Sequence, residues 1–147
     1  MLPLFDVMGK KSVLCGPASS GQAAKACNNM LLATTMICVG EAFNLGENLG
    51  LDLKKLFDVL STSTGNCWAI NTYCPIEGVG PNSPADNNFQ PGFSGNLMLK
   101  DLTIALKAIN DTNTSAPFGT KSQENFKRMI DDKKGELDFS AIVNFNK

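Results

Sequence analysis

Gly16-Pro-Ala-Ser-Ser-Gly21-Gln-Ala-Ala-Lys25-Ala-Cys-Asn28-Asn29 runs straight into Met30-Leu-Leu-Ala-Thr-Thr-Met36-Ile-Cys-Val-Gly40, and this stretch decides the fold. From Ala26 to Gly40 no residue carries a formal charge, and Met30, Leu31, Leu32, Met36, Ile37 and Val39 point in nearly every direction around a helical wheel. A helix apolar almost all round has to be buried in the middle of a domain. A bilayer span needs about 20 predominantly apolar residues. This run is shorter, begins with two asparagines and ends at Glu41. The spacing therefore predicts a core helix from about Ser20 to a glycine stop at Gly50, with the other helices of a nearly all-α domain packed around it.

The chemistry sits at the polar end of that helix. Lys25 and Asn29 are four apart and share one face, so a cation and an amide can converge on one small ligand. Ser19 or Ser20 can cap the helix, and Gly21 in its first turn allows another backbone or a ligand to approach closely. The two glycines also read simply as a loop. Free N–H groups at a helix start favour an anionic group such as a carboxylate.

Working outward, Ser12-Val13-Leu14-Cys15 reads as a brief strand ended by Gly16, with nothing obvious downstream to pair with. An element upstream is therefore expected to be missing. Downstream, Asp52 caps a helix with Leu53, Leu56, Phe57 and Leu60 on one stripe, and Cys67-Trp68-Ala-Ile starts a short helix. Residues 77–92 are rich in Gly, Pro, Asn and Ser and read as a long ordered loop. Phe93, Leu97, Lys100 and Ile104 then recur at helical spacing, which puts Lys100 on an apolar face, where a snorkelling flank lysine is the plain alternative. Pro117 precedes a helix from about Lys121 to Asp132 that turns Phe126, Met129 and Ile130 inward and ends at Gly135. Asp138-Phe-Ser-Ala-Ile-Val is the last apolar piece.

The 147 residues suffice for one domain, and 43% apolar with 18% charged residues describes a globular chain rather than a disordered one. The formal net charge is -1 with no basic block, which gives no electrostatic reason to expect nucleic acid, and no basic amphipathic stretch suits a membrane surface. There is no histidine, so Ser-His and Cys-His catalysis are excluded within this chain and the commonest metal ligand is absent. The 5 cysteines form no C-x-x-C pair and mostly sit in apolar runs, so they read as free buried thiols and no metal site is expected. Met1-Leu-Pro-Leu-Phe-Asp, which has no basic stretch ahead of a long apolar run, does not read as a secretory signal.

Four signatures in order resemble one family: the glycine-rich opening with Lys25, Asn28 and Asn29; Thr64-Gly-Asn-Cys-Trp68; Phe93 followed by Leu97 and Lys100-Asp101-Leu102; and Gly135 with Asp138-Phe-Ser140. The chain resembles, over nearly its whole length, the C-terminal helical half of the 3-hydroxyisobutyrate dehydrogenases within the β-hydroxyacid dehydrogenase family. The resemblance implies a division at residue 16, with 1–16 the end of a Rossmann domain and 17–147 the helical domain carrying the catalytic lysine and the dimer surface. It makes Lys25 the catalytic acid or base, and Asn29, Asn28 and Gly21 the substrate-binding residues. Lys100 and Phe93 become the residues facing an NAD cofactor bound mainly by an absent N-terminal domain. The family commonly has a third glycine where this chain has Ser19. The implied reaction is NAD-dependent oxidation of 3-hydroxyisobutyrate to methylmalonate semialdehyde in valine catabolism, by a mitochondrial homo-oligomer, although the isolated half would be inactive. The apolar helix body after Lys25 is expected to desolvate that lysine. The alternative is a non-catalytic helical dimerisation module left after loss of the cofactor domain. No strand with G-x-G-x-x-G, the seat of a dinucleotide pyrophosphate, occurs in the chain.

Overall fold

The computed structural model describes Val7, Gly9 and residues 11–145. The α-helices, in chain order, are α1 (Ser20–Asn48), α2 (Leu53–Thr62), α3 (Trp68–Asn71), α4 (Gly95–Asp111) and α5 (Pro117–Asp131), with 3-10 helices over Pro84–Asn87 and Phe139–Phe145. The fold is all-α, as expected. Among the described residues there is no strand, and the only β-type pairing is an isolated antiparallel bridge between Ser94 and Asp138.

α1 is one unbroken helix of 29 residues that touches α2, α3, α4, α5 and the last 3-10 helix. Ala33, Met36, Ile37, Val39 and Phe43 are buried along it. They join Met98 and Leu102 of α4, Phe126 and Met129 of α5, and Phe139 and Ile142 of the last segment in one core. Each large side chain removed from water there stabilises the fold by about 1.5–3 kcal/mol. Gly50 stops α1 as the sequence predicts: at φ +77° it lets its own N–H and that of Leu51 return to the carbonyls of Glu47 and Gly46 at 2.9 and 3.0 Å. No helix among the described residues is long and apolar enough to cross a membrane.

Several local expectations are corrected. Cys27, Leu31, Cys38 and Leu45 form an exposed line along α1, so the helix is not covered all round. An apolar face says that something covers it, not that the cover lies in the same stretch of chain. Residues 12–15 form no strand and are exposed, because a lone extended segment has no ladder to join. Residues 1–6, 8 and 10 of the implied Rossmann remnant lie outside the described residues. At the start of α1, Ser19 makes no side-chain cap and instead takes a left-handed conformation at φ 76°. α5 begins at Pro117 rather than Lys121, since proline has no N–H to leave unpaired in a first turn. Lys133, at φ 60°, rather than Gly135, turns the chain out of α5, and the N–H groups of Lys133 and Lys134 return to Ile130 and Met129 at 2.9 and 3.1 Å. Gly135 is needed for close approach: a Cβ there would run into Asn96 and come within 2.6 Å of Ile130 Cδ1.

Other expectations hold. The Asp52 carboxylate accepts the Lys55 N–H at 3.0 Å, and Leu53, Leu56, Phe57 and Leu60 form a half-buried stripe. The loop before α4 is ordered around Asp86, whose two oxygens accept the N–H groups of Gly78 at 2.7 Å and Ser83 at 2.9 Å. The bridge at Ser94 fixes the entry of α4, because Gly95 N–H reaches the Leu137 carbonyl at 2.8 Å and Phe139 N–H reaches that of Phe93 at 2.8 Å.

Candidate active site

α1 and α4 cross so that Lys25 and Asn29 meet Asp101. Asp101 lies on the inward stripe of α4 with Met98, Leu102 and Ala105, and only 4% of it is exposed. Its Oδ2 accepts the Asn29 amide N–H at 2.6 Å and stands 3.1 Å from Lys25 Nζ. Its Oδ1 stands 3.9 Å from Lys100 Nζ. Asn28 donates to Asn29 Oδ1 at 3.1 Å, which fixes the orientation of that amide. Of the four hydrogen-bonding positions of Asn29, one N–H and one Oδ1 lone pair are left to offer a ligand.

The two lysines face outward. The Lys25 side chain is 53% exposed and that of Lys100 is 61% exposed, while their shared carboxylate is 5% exposed. The expectation that the apolar body of α1 desolvates Lys25 is therefore corrected: Lys25 sits at the helix start, before the apolar run is enclosed, and its ammonium faces solvent. Gln22, Lys25, Ala26, Asp101 and Ile104 border a shallow recess there. Gly21 is exposed and would meet nothing within 4 Å if it carried a Cβ, so the approach it permits is open to a group from outside.

Beside this cluster, on the Asn28 side of α1, lies a cleft of about 410 Å³ between α1 and α3, walled by Asn28, Leu31, Thr35, Cys67 and Trp68. That volume is in the range of small-ligand sites, and the lining is apolar with a few polar groups. Trp68 is 48% exposed and stacks on Tyr73 with ring centroids 4.8 Å apart. Phe93 does not join the Asp101 cluster. It precedes α4 by two residues, is half-buried, and packs edge-on against Phe139 at 5.9 Å.

The structure places Lys25, Asn28, Asn29 and Lys100 together around Asp101, with Trp68 on the neighbouring cleft, and sequence reasoning assigns neither Asp101 nor Trp68 a role there. A signal for Asp101 existed, since an acid at the spacing of Met98, Leu102 and Ala105 is a charge on a buried stripe. Trp68 stands in the Thr64-Gly-Asn-Cys-Trp68 signature, but a lone tryptophan at the start of a short helix is ordinary core material and marks no role of its own.

Residues 19–146 match the protein family described as "NAD-binding of NADP-dependent 3-hydroxyisobutyrate dehydrogenase". The chain belongs to this family. It is 48% identical over 141 residues to a probable 3-hydroxyisobutyrate dehydrogenase of Mycobacterium tuberculosis, covering 96% of this chain and 48% of that protein. It is 42% identical over 142 residues to the mitochondrial 3-hydroxyisobutyrate dehydrogenase of Homo sapiens, covering 97% of this chain and 42% of that one. The solved structure of the Mycobacterium tuberculosis enzyme with L-serine superposes with a TM-score of 0.91 at 47% identity, over 97% of this chain and 48% of the other. The chain thus spans about half the length of the family members it matches. Its family is one of oxidoreductases, and the animal members are named mitochondrial while the mycobacterial ones are not.

Proposed function

We propose that this chain supplies the proton-handling half of an NAD-dependent 3-hydroxyisobutyrate dehydrogenase, with Lys25 as general acid and base. The observation that carries the reading is the Lys25–Asp101–Asn29 cluster: one exposed ammonium tethered to a buried carboxylate, with an oriented amide one turn away and an apolar cleft beside it. Oxidation of the primary alcohol of 3-hydroxyisobutyrate to methylmalonate semialdehyde releases a hydride from carbon and a proton from oxygen. NAD, when bound, takes the hydride. In the forward direction the neutral amine of Lys25 accepts the hydroxyl proton, becomes the ammonium and then gives that proton up to solvent; in the reverse direction the ammonium donates its proton to the carbonyl oxygen. Asp101 holds the ammonium in place between turnovers, and Asn29 offers its remaining N–H to the substrate beside Lys25. The chain branch of the hydroxy acid faces the cleft at Asn28 and Trp68, and its carboxylate faces the first turn of α1 at Gly21, where the helix start favours an anion.

The described residues fit the cofactor only at one end. Lys100, exposed and only loosely paired with Asp101 at 3.9 Å, is placed to meet the nicotinamide side, with Phe93 two turns back. None of the described residues forms a strand-to-helix glycine turn that would seat a pyrophosphate. A Rossmann domain, for which 1–16 would be the trailing end, supplies that seat. The exposed Leu45, Leu49, Leu51 and Val59 favour self-association through the far end of α1 and α2. In an animal cell the enzyme belongs in the mitochondrion and serves valine breakdown.

The test is reconstitution. Joined to a family cofactor domain, the chain should oxidise 3-hydroxyisobutyrate with NAD, and Lys25→Ala should abolish most of that turnover. Without a cofactor domain, this chain should show no turnover and weak NAD affinity. Undiminished kcat in Lys25→Ala would remove Lys25 from the chemistry. Light scattering of the chain at micromolar concentration should give a dimer or larger species, and a clean monomer would remove the association.

A further inference from the structure

Asp138 is fully buried and stands just ahead of the last 3-10 helix. Its Oδ1 accepts the Ser140 N–H at 3.0 Å and the Ser140 hydroxyl at 2.7 Å. Its Oδ2 accepts the Tyr73 hydroxyl at 3.0 Å and the backbone N–H groups of Gly92 and Phe93 at 3.1 Å each. All these donors are neutral. Burying a carboxylate costs several kcal/mol, and the gain here is that an ionised carboxylate is acceptor-only, so both oxygens can serve five converging donors at once. An amide in the same place would turn an NH₂ group toward donors on one side.

The network has a second end. The Tyr73 ring lies between Trp68, at 4.8 Å and 21°, and Phe139, at 5.7 Å and 24°. Trp68 is half exposed on the cleft side, so the stack with Tyr73 braces its inner face. The Tyr73 hydroxyl, at the far tip of the ring, is pinned to Asp138, and a ring held at its tip cannot swing away from the indole without breaking that bond. We propose that Asp138 is a positioning residue that sets the pose of Trp68 through Tyr73, and with it the shape of the cleft between α1 and α3. The role deepens the dehydrogenase reading and rests on it for the identity of what the cleft holds.

The chain has a single tryptophan and a single tyrosine, so its near-ultraviolet circular dichroism and its indole fluorescence both report on this stack. In the 147-residue chain, Asp138→Asn and Tyr73→Phe should each diminish the aromatic dichroism and raise acrylamide quenching of Trp68 by about twofold, as a ring released from its stack samples further rotamers. Ser140→Ala, which removes a donor from the other oxygen, should leave both signals near wild type. Tyr73→Phe loses one hydroxyl and no packing, and it decides the matter alone if Asp138→Asn does not fold. In the reconstituted two-domain enzyme, Asp138→Asn and Tyr73→Phe should raise KM for the hydroxy acid while largely keeping kcat. A wild-type Trp68 signal in folded Tyr73→Phe, or an equal change in Ser140→Ala, would overturn the proposal. Those readouts do not involve Lys25, so failure of the dehydrogenase reading would appear separately, as full turnover in Lys25→Ala with the Trp68 signals still responding to Tyr73→Phe.

Discussion

Asp138 is enclosed by five neutral donors drawn from three stretches of the same domain, whereas Asp101 is held by one amide and by two lysines whose side chains stand mostly in solvent. Both carboxylates are buried, so burial alone does not separate them. What separates them is where their partners end. Every group on Asp138 is itself anchored in the fold. Lys25 and Lys100 can leave Asp101 for a ligand at small cost, because half-exposed ion pairs contribute only about 0–1 kcal/mol. The first carboxylate is architecture, and the second keeps cations on a tether.

The sharpest way to break this comparison is Lys25→Ala. In the reconstituted enzyme kcat should fall by a factor of roughly 10² to 10⁴, the usual worth of a positioned acid or base. The same substitution should change the stability of the chain by less than about 1 kcal/mol in urea unfolding, given how exposed the lysine is. A large loss of stability with little loss of turnover would make Asp101 a second architectural carboxylate.

Asp138→Ala tests the other side. It leaves several donors without an acceptor, at about 1–3 kcal/mol for each that stays buried, so a total loss of about 3–5 kcal/mol is expected from thermal or urea melts. Asp101→Ala frees two lysines that water can solvate and strands only the Asn29 amide, and it should cost clearly less. Equal costs would erase the distinction.

A smaller effect sharpens it. Burial first, then the charge of Asp138 and its hydrogen bond, push the Tyr73 phenol well above its ordinary value. The folded state therefore holds the phenolic proton more tightly than the unfolded chain does. The stability this gives is complete below about pH 10 and is lost as pH rises through the folded value. In Asp138→Asn the second and third causes vanish, so tyrosinate absorbance should begin to rise at lower pH than in wild type. An unmoved titration curve would mean that Asp138 does not govern Tyr73.

Much of this architecture was legible because it rests on local rules. An uncharged apolar run gives a long core helix whatever surrounds it, Gly50 stops it through its own backbone freedom, and Lys25 and Asn29 share a face by helical arithmetic. What was not legible depended on contacts distant in the chain. Asp101 pairs with residues more than 70 positions earlier, and Asp138 gathers donors from Tyr73 and Phe93, separations that no periodicity reports. The exposed line of Cys27, Leu31 and Cys38 failed for a related reason, since composition shows that a helix wants cover without showing whether these residues provide it. The Lys133 stop failed because only backbone angles distinguish it from Gly135, two positions on.

Ser19 is the smallest and most local of these cases, and it bears on the tethered lysine because it sets the start of α1 six residues before Lys25. Its φ of 76° places an L-residue in the left-handed region, which costs about 1–2 kcal/mol relative to the right-handed one. Its hydroxyl caps nothing, while its carbonyl accepts the N–H groups of Gln22 and Ala23 at 3.0 and 3.2 Å. The strain therefore lies in the backbone, and the useful contacts are made by an atom that every residue has. Ser19→Gly should remove the strain but add freedom to the unfolded chain worth about 0.5–1 kcal/mol. The net expectation is a gain of up to about 1 kcal/mol in unfolding free energy, with kcat of the reconstituted enzyme unchanged. Ser19→Ala keeps the Cβ and should gain nothing. If alanine stabilised the chain as much as glycine, the hydroxyl rather than the backbone would be the unfavourable group. If glycine destabilised it, the freedom added to the unfolded chain would outweigh the strain relieved at position 19.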